Sequence, residues 1–184
     1  MITKKEYREY TERTLEFFKK AGIVITEEEA KKVEIADFGL SDLQHVGLQL
    51  VVYVNTDKVC AKEMVLLPGQ TCPEHIHTDG VDEKGVPFSG KEETFRVRKG
   101  VCYLYVSGEG RKEDIKATLP PTEVTVFHEI VLHEGEQYTL RPNTWHWFQA
   151  GKEGAIISEF STTSRDEYDL FRDKRIERIP QIEK

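Results

Sequence analysis

Two histidines separated by one residue, His75 and His77, constrain this sequence most strongly. In a β-strand, residues i and i+2 project from the same face, so both imidazoles can reach one point in space. Glu93 follows His77 by 16 residues and begins a strand-like segment, and His146 lies where a turn-like Pro-Asn pair leads into an aromatic strand. Three imidazoles and one carboxylate suit a divalent first-row metal such as Mn, Fe, Co, Ni or Zn. The sequence therefore predicts a β-barrel built around a metal.

Most of the chain after the first 35 residues has the composition of short strands. Strands separated by turns that contain Gly and Pro are typical of a sandwich or barrel. Residues 78–91 are polar and glycine-rich, and we expect them to form a long loop beside the histidine pair. β-branched or aromatic residues between turn signals predict strands in seven segments: 47–57, 58–68, 93–100, 101–110, 122–132, 136–143 and 154–164.

The start of the chain carries helical signals instead. Thr3 with Glu6, and Thr26 with Glu29, form two capping boxes. Apolar and aromatic residues at roughly helical spacing follow the first box as far as Gly22, and the second helix is expected to end near Lys32. We expect both helices to pack on the outside of the barrel.

Length and composition favour one domain. A chain of 184 residues can bury a sizeable core, and a charged fraction of 32% beside a hydrophobic fraction of 38% indicates a heavily charged surface. We predict a single domain over residues 1–184. Residues 1–35 form its helical cover, residues 36–164 form the β-barrel with the metal site, and residues 165–184 form an extension that wraps the surface and frays at its end.

Charge and cysteine content exclude several classes of partner and compartment. The net charge of −7 argues against binding to nucleic acid or to an anionic membrane, both of which need basic patches. No stretch is long and apolar enough to span a bilayer, and the N-terminus lacks the apolar core of a signal peptide. Cys60, Cys72 and Cys102 are odd in number and form no CxxC pair, so we expect a cytoplasmic protein.

The stretch from Gly69 to Gly100 resembles the first motif of the cupins, G-x5-H-x-H-x3-4-E-x6-G. The glycines have the motif's spacing to His75 and Glu93, whereas the gap between His77 and Glu93 is far longer than usual. We treat the excess as an inserted loop. The insertion leaves three other carboxylates as alternative fourth ligands, namely Glu74, Glu83 and Glu92.

A second stretch, from Gly135 to His146, resembles the second cupin motif, G-x5-P-x-G-x2-H-x3-N. Arg141 replaces its proline, Asn143 its glycine and Ala150 its final asparagine. Asn tolerates the left-handed backbone conformation better than other residues apart from Gly, so the turn is expected to survive. The two motifs together identify the chain as similar to the cupins.

The similarity to one group of cupins extends over nearly the whole chain. The runs ADFGL, CAKEMVLLPGQTCPEHIH, PNTWHWFQAG and SEFSTTS resemble the cupin-type D-lyxose isomerases. This resemblance implies a mainly β, jelly-roll barrel, a homodimer, and the interconversion of D-lyxose and D-xylulose, often with D-mannose and D-fructose. It also implies Mn²⁺, and the donor set itself also suits Co²⁺, Ni²⁺, Fe²⁺ and Zn²⁺. The positions that match the ligands are His75, His77, Glu93 and His146.

Glu159 and Lys62 are the candidates for proton transfer between the two sugar carbons. Both lie in predicted strands between apolar residues. Taken alone, a charged residue in a barrel strand most often faces outward, but the resemblance implies that both positions belong to the active site. We expect Glu159 to act as the base and Lys62 to polarise a sugar oxygen or to shuttle a proton.

Asp37, Arg96 and Asp169 are the candidates for contacts with sugar hydroxyl groups. Arg96 lies three residues past Glu93, so simple alternation places it on the opposite face of the strand unless a bulge intervenes. Asp169 lies in a charged stretch that is otherwise typical of a solvated surface.

Three other functions fit the same motifs. A sugar-phosphate isomerase would need a cationic pocket, which Arg96, Arg98 and Lys99 could supply. A metal-dependent dioxygenase also uses a histidine-rich site and would consume oxygen. A non-catalytic cupin would bind the sugar without turnover.

Overall fold

The structure, a computed structural model, describes residues 1–183 and consists mainly of β-strands that follow two helices. No helix within these residues is long and apolar enough to cross a membrane. Single 3-10 turns span Lys112–Asp114 and Asp166–Tyr168. The helices are α1 (Lys4–Lys20) and α2 (Glu27–Ala30), and the strands are β1 (Glu34–Ala36), β2 (Leu48–Asn55), β3 (Cys60–Leu66), β4 (Thr71–Ile76), β5 (Gly80–Val81), β6 (Pro87–Phe88), β7 (Glu93–Val106), β8 (His128–Leu132), β9 (Gln137–Leu140), β10 (His146–Ser161) and β11 (Leu170–Phe171).

Both predicted helices are present, and each begins with its capping box. The Thr3 hydroxyl accepts the backbone N–H of Glu6 at 3.1 Å, and the Glu6 carboxylate accepts the backbone N–H of Thr3 at 2.9 Å. The same exchange caps α2, which ends before Lys32 and is shorter than expected. Satisfying the free N–H groups at their N-termini lets both short helices begin where the sequence predicts.

Helix α1 packs on the outer face of the sheet. Tyr10 and Phe18 from the helix are buried against Val51, Val65 and Ile156 from β2, β3 and β10. Neighbouring residues on these strands point inward, because side chains alternate between the two faces of a sheet. The sheet is therefore covered by helix on one face and encloses a core on the other.

Nine strands form one sheet around a common interior. β1, β2, β3, β10, β4 and β11 are neighbours in that order, and β7 pairs with β10, β8 and β9, all antiparallel. Residues from most of these strands meet in a single apolar cluster, including Leu50, Met64, Leu104 and Phe148. The sheet thus rolls around a core as predicted for a barrel, although no hydrogen-bonded strand pair within residues 1–183 closes it into a ring.

Strands β7 and β10 are longer than the sequence predicts. Segments 93–100 and 101–110 were expected to be separate strands, as were residues 154–164 and the aromatic strand after His146. Each pair instead forms one continuous strand, of 14 residues in β7 and 16 in β10. The register between them shifts between Ala150 and Ala155. Glycine here bends a continuous strand rather than ending it.

Gly100 and Gly154 lie at this bend and cannot readily be replaced. Their φ angles are +76° and +81°, in the left-handed region that favours glycine. A Cβ on Gly100 would lie 2.1 Å from the carbonyl oxygen of Gly154. Because the two backbones touch, β7 and β10 can cross together from one side of the barrel to the other.

Three other segments differ from the prediction. Residues 78–91, expected to be a loop, contain the small hairpin β5–β6. In segment 122–132, only His128–Leu132 forms a strand. Segment 165–183 does more than wrap the surface, because β11 adds to β4 and side chains from the segment line an interior cavity. The expected fraying at Lys184 lies outside the described residues.

The close contact at the bend predicts a stability difference between two alanine substitutions. Gly85→Ala provides the control, since its φ of +78° matches that of Gly100 while no atom lies within 4 Å of the added Cβ. We expect Gly85→Ala to cost about 1 kcal/mol from backbone conformation alone, and Gly100→Ala to cost roughly 3 kcal/mol because steric overlap is added. Urea unfolding of both variants measures the difference. Equal losses would contradict the proposed role of the backbone contact.

Candidate metal centre

Three strands bring the four predicted ligand residues together. His75 lies on β4, directly opposite His146 at the start of β10, and His77 follows the end of β4. Glu93 is the first residue of β7. All four side chains are buried, and one potential ligand atom from each lies within 4.8 Å of the others. The alternation of β4 and the ends of two neighbouring strands therefore place all four at one point.

Hydrogen bonds hold each imidazole with its Nε2 toward that point. The Nδ1 atom of His75 lies 2.8 Å from the Pro73 carbonyl oxygen, that of His146 lies 3.0 Å from the Thr144 carbonyl oxygen, and that of His77 lies 2.5 Å from Asp169 Oδ1. Because each acceptor requires a proton on Nδ1, the Nε2 lone pairs are assigned to the centre. This is the usual second contact of a metal-binding histidine.

Two observations show that the donor set fits a metal ion. Within the described residues, the buried Nε2 atom of His146 has no hydrogen-bond partner, a costly arrangement unless another group occupies the centre. Glu93 Oε1 lies 3.2 Å from His77 Nε2 and 3.1 Å from His146 Nε2. Three imidazole nitrogens and one carboxylate oxygen thus converge, the set that first-row divalent metals accept.

The alternative carboxylates lie elsewhere. Glu74 is buried but accepts hydrogen bonds from Thr125 and Arg172. Glu83 and Glu92 are exposed. Glu92 is excluded by strand alternation, because it precedes Glu93 and points to the other face. The structure therefore brings Glu93, and none of the three alternatives, to the histidines.

Electrostatic interactions keep the Glu93 carboxylate ionised and give His75 and His77 different pKa values. Burial raises the pKa of Glu93, but nearby Lys91 and His77 outweigh burial and hold that pKa well below its usual value. Burial and the neighbouring imidazoles lower the pKa of His75. Burial and Lys91 also act to lower the pKa of His77, yet Glu93 and Asp169 raise it to about 9. Glu93 therefore supplies the centre with an ionised carboxylate, a ligand that suits a cation.

A network of buried ion pairs adjoins the centre. Lys91 Nζ lies 3.0 Å from Glu93 Oε2 and 3.2 Å from Glu159 Oε1. Lys62 Nζ lies 3.8 Å from Glu159 Oε1 and 2.9 Å from Asp166 Oδ2. Lys91 therefore links the candidate metal centre directly to the candidate base, and Lys62 approaches that base from the adjacent strand.

The two lysines in this network remain charged. Burial acts to lower the pKa of each, but Glu159 and the other carboxylates outweigh burial and raise both values. Burial acts to raise the pKa of Asp166, whereas Lys91, Lys62 and Arg178 hold it well below the usual value. A charged Lys62 fits the expected role of polarising an oxygen better than that of shuttling a proton.

Residues of the centre and of the network line one cavity. Of the predicted proton-transfer and substrate residues, Glu159, Lys62 and Asp169 line it. Asp169 does not lie on a solvated surface, since its carboxylate contacts His77 and is 8% exposed. Its contact with the imidazole gives it a second role, that of holding a candidate ligand.

The structure places the other two substrate candidates, Asp37 and Arg96, away from the cavity. Asp37 is buried, but its carboxylate accepts the backbone N–H of Gly39 and lies 3.7 Å from the N-terminal ammonium. Arg96 is exposed and donates to Gln137 on β9. Alternation along β7 explains the position of Arg96, because Arg96 and Glu93 lie on opposite faces of the strand. Phe38, next to Asp37, lines the cavity instead.

The sequence analysis missed three charged residues that line the cavity: Lys91, Asp166 and Arg178. Lys91 lies two residues before Glu93, so extending the period-2 pattern backward by one step could have found it. Asp166 and Arg178 lie in the irregular C-terminal segment, where no periodicity reports direction. Their positions depend on ion pairs with distant residues, such as the 2.6 Å contact from Arg178 to Glu34.

The geometry predicts different effects of two substitutions on metal binding. His77→Ala removes a donor and should abolish retention of Mn²⁺ in equilibrium dialysis followed by atomic emission. Asp169→Asn should lower the affinity about 10- to 100-fold, because it weakens the contact that orients His77. The control is His45→Ala, since His45 is 60% exposed and pairs only with Asp42. Full metal content in the His77 variant would refute the ligand assignment.

Known proteins resemble this chain over its full length. A sequence model of the D-lyxose isomerase family matches residues 6–184. The D-lyxose/D-mannose isomerase of Thermosediminibacter oceani is 57% identical over 187 residues, which cover 100% of this chain and 99% of that protein. The D-lyxose ketol-isomerase of Cohnella laeviribosi is 56% identical over 97% of this chain and 96% of its own length.

A solved structure has the same fold. The L-ribose isomerase of Cellulomonas parahominis, determined with L-ribose, matches 95% of this chain and 94% of its own with a TM-score of 0.71. At 15% identity this likeness concerns the fold alone, and it confirms the mainly β, cupin-type architecture predicted from the sequence. The family model and both relatives extend over nearly every residue, so the chain belongs to the D-lyxose isomerase family.

Proposed function

We propose that the protein is a metal-dependent aldose–ketose isomerase that interconverts D-lyxose and D-xylulose, and also D-mannose and D-fructose. The observation that carries this proposal is the buried group of three histidines and one glutamate beside a second buried carboxylate, Glu159, in one cavity. The relative from Thermosediminibacter oceani, 57% identical to this chain, is described as a D-lyxose/D-mannose isomerase.

The proposed ligands are His75, His77, Glu93 and His146. A divalent ion bound there would supply Lewis acidity toward the two sugar oxygens on the reacting carbons. We propose Mn²⁺, because it accepts oxygen ligands alongside imidazole; Co²⁺, Ni²⁺, Fe²⁺ and Zn²⁺ suit the same donors. The protein's own contribution is to hold the imidazoles in one tautomer and to keep Glu93 ionised.

Glu159 is the proposed base that moves the proton between the two reacting carbons. Its side chain is 3% exposed and lines the cavity from near the C-terminal end of β10. Isomerisation takes a proton from the carbon beside the carbonyl and returns it to the former carbonyl carbon, through an enediolate. A single carboxylate between two adjacent carbons can do both steps, provided that water is excluded.

Lys91 and Lys62 hold Glu159 and can donate hydrogen bonds to substrate oxygens. The Lys91 ammonium contacts Glu159 and Glu93 together, and therefore fixes the distance between base and metal ligand. Ser161 donates a further hydrogen bond to Glu159 at 3.0 Å. Charged donors already in place lower the cost of stabilising negative charge on the enediolate oxygens.

A sugar-phosphate substrate is not favoured by the structure. Arg96, Arg98 and Lys99, which could have formed a phosphate pocket, are exposed on β7, away from the cavity. Among the described residues that line the cavity, the cations Lys62, Lys91 and Arg178 each contact a carboxylate at 3.0 Å or less. A phosphate would have to displace one of those carboxylates.

The homodimer and the cytoplasmic location stay predictions. The outer face of the sheet supports a second subunit, since Tyr53 and Phe160 are 42% and 50% exposed there. Cys60, Cys72 and Cys102 are buried and free, which supports a reducing compartment.

Metal-stripped protein reloaded with Mn²⁺ tests the reaction directly. We expect incubation with D-lyxose to produce D-xylulose, and incubation with D-mannose to produce D-fructose, both detected by chromatography and only after metal is restored. Ketose formation from neither sugar would overturn the proposed function. Oxygen uptake during the same incubation would instead indicate a dioxygenase.

The role of Glu159 predicts that Glu159→Gln keeps its metal and loses turnover. We expect kcat to fall by about 10²- to 10⁴-fold, because the amide cannot accept the proton. Glu63→Gln is the matched control: Glu63 is a buried carboxylate on the neighbouring strand, but it accepts from Ser158 and does not line the cavity. An active Glu159 variant with full metal content would move the base elsewhere.

A further inference from the structure

A second cavity adjoins the main one on the side of the β5–β6 hairpin. This side chamber shares His77, Lys91 and Asp169 with the main cavity. Because the two spaces share these residues, the chamber suits one part of a ligand whose other part occupies the main cavity. Its remaining wall consists of Thr78, Phe88, Ser89, Gly90, Thr163, Arg165 and Tyr168.

The chamber wall combines aromatic rings with polar groups. The rings of Phe88 and Tyr168 lie 5.0 Å apart, and the Arg165 guanidinium lies 4.9 Å from the centre of the Phe88 ring. Among the described residues, no carboxylate lies within ion-pair distance of Arg165. Thr163 and Ser89 add hydroxyl groups. An aromatic face with nearby hydrogen-bond donors fits the C–H face and hydroxyl groups of a polyol.

The other directions out of the metal centre are unsuited to a polyol. The floor of the main cavity is apolar, lined by Leu50, Met64 and Phe148 among others, and would leave hydroxyl groups without partners. Another part of the lining consists of the Lys62–Asp166–Arg178 ion pairs, which are costly to break. The side chamber, by contrast, offers hydroxyl groups and a guanidinium next to His77 and Lys91.

We infer, on the basis of the isomerase function proposed above, that the side chamber binds the end of the sugar remote from the carbonyl. The reacting end must lie at Glu159 and the metal ligands, so the remaining carbons extend past Lys91. D-Mannose shares the configuration of D-lyxose at the second, third and fourth carbons and is longer by one CHOH group. Phe88, Thr163 and Tyr168 therefore determine how well the hexose is used relative to the pentose.

Two chain segments with no shared strand pairing form this wall. Phe88 belongs to the β5–β6 hairpin, and Thr163 and Tyr168 lie between β10 and β11. These positions lie outside the main sheet and can change without disturbing it, whereas three of the four candidate metal ligands lie on strands of that sheet and His77 directly follows one. Substrate preference is therefore separable from the chemical step in this structure.

Two variants, one on each segment, test the assignment. Thr163→Leu fills the chamber, and Phe88→Ala removes the ring that packs against the added carbon. Both should lower kcat/KM for D-mannose relative to D-lyxose by about tenfold, the scale at which one carbon in a pocket is discriminated. Val86→Ala is the control on the hairpin, since Val86 is 55% exposed and lies outside the chamber wall. In this variant, the ratio of kcat/KM for D-mannose to kcat/KM for D-lyxose should match that of the unmodified protein.

Binding of unreactive polyols separates this inference from the proposed reaction. Binding is measured by calorimetry with D-arabitol and D-mannitol, the reduced forms of D-lyxose and D-mannose. In both variants, the affinity for D-mannitol should fall relative to that for D-arabitol, as kcat/KM does for the sugars. Equal changes for the two chain lengths, in kinetics and in binding, would overturn the chamber assignment. If the polyols bind but neither sugar turns over, the isomerase proposal fails and the polyol ratio still decides the chamber. Binding of neither polyol would overturn the chamber assignment alone, since ketose formation decides the reaction.

Discussion

The burial of charge is the constraint on which the rest of this structure depends. Glu93, Glu159, Lys62 and Lys91 all lie inside the sheet with less than a tenth of their surface exposed. Placing an isolated charge in such an interior costs several kcal/mol, so each must have partners at hydrogen-bonding distance. The network supplies them by alternating cations and carboxylates, and it extends from the candidate metal centre to the C-terminal segment.

This requirement explains why the chain's C-terminal segment packs over the cavity. Asp166 accepts from Lys62, and Arg178 joins Asp166 to Glu34, which lies on β1 near the other end of the chain. Without this segment, Lys62 would lose its shortest ion pair. The segment thus completes the electrostatic balance of the site, and the same contacts exclude water from the carboxylate proposed as the base.

The two long strands explain how one sheet can position both the proposed metal ligands and the proposed base. β10 begins with His146 and carries Glu159 near its other end, so one strand supplies a proposed metal ligand and the proposed base. β7 begins with Glu93 and runs alongside β10 through the glycine bend. Because both are bent at Gly100 and Gly154, their two halves can pair with different neighbours while the inward faces stay directed at one cavity.

Local patterns in the sequence predicted several features of this structure. The capping boxes placed both helices, and the His-x-His pair with its period of two brought His75 and His77 to one face. The left-handed turn at Asn143, with a φ of +63°, followed from the side-chain chemistry of asparagine. The family resemblance identified Glu93, His146, Glu159 and Lys62 as residues to examine, and all four lie at the cavity or its metal group.

By itself, then, the sequence determined the elements, the cupin-type class and the candidate metal ligands, because each depends on residues close together or on a motif with defined spacing. Only the tertiary structure decided which charged side chains meet. Asp37 and Arg96 were expected at the cavity but lie away from it. Asp166 and Arg178 line the cavity because of contacts between distant segments, such as that between Arg178 and Glu34, 144 residues apart. Such contacts satisfy buried charge by pairing across the fold, and no local period in a sequence reports them.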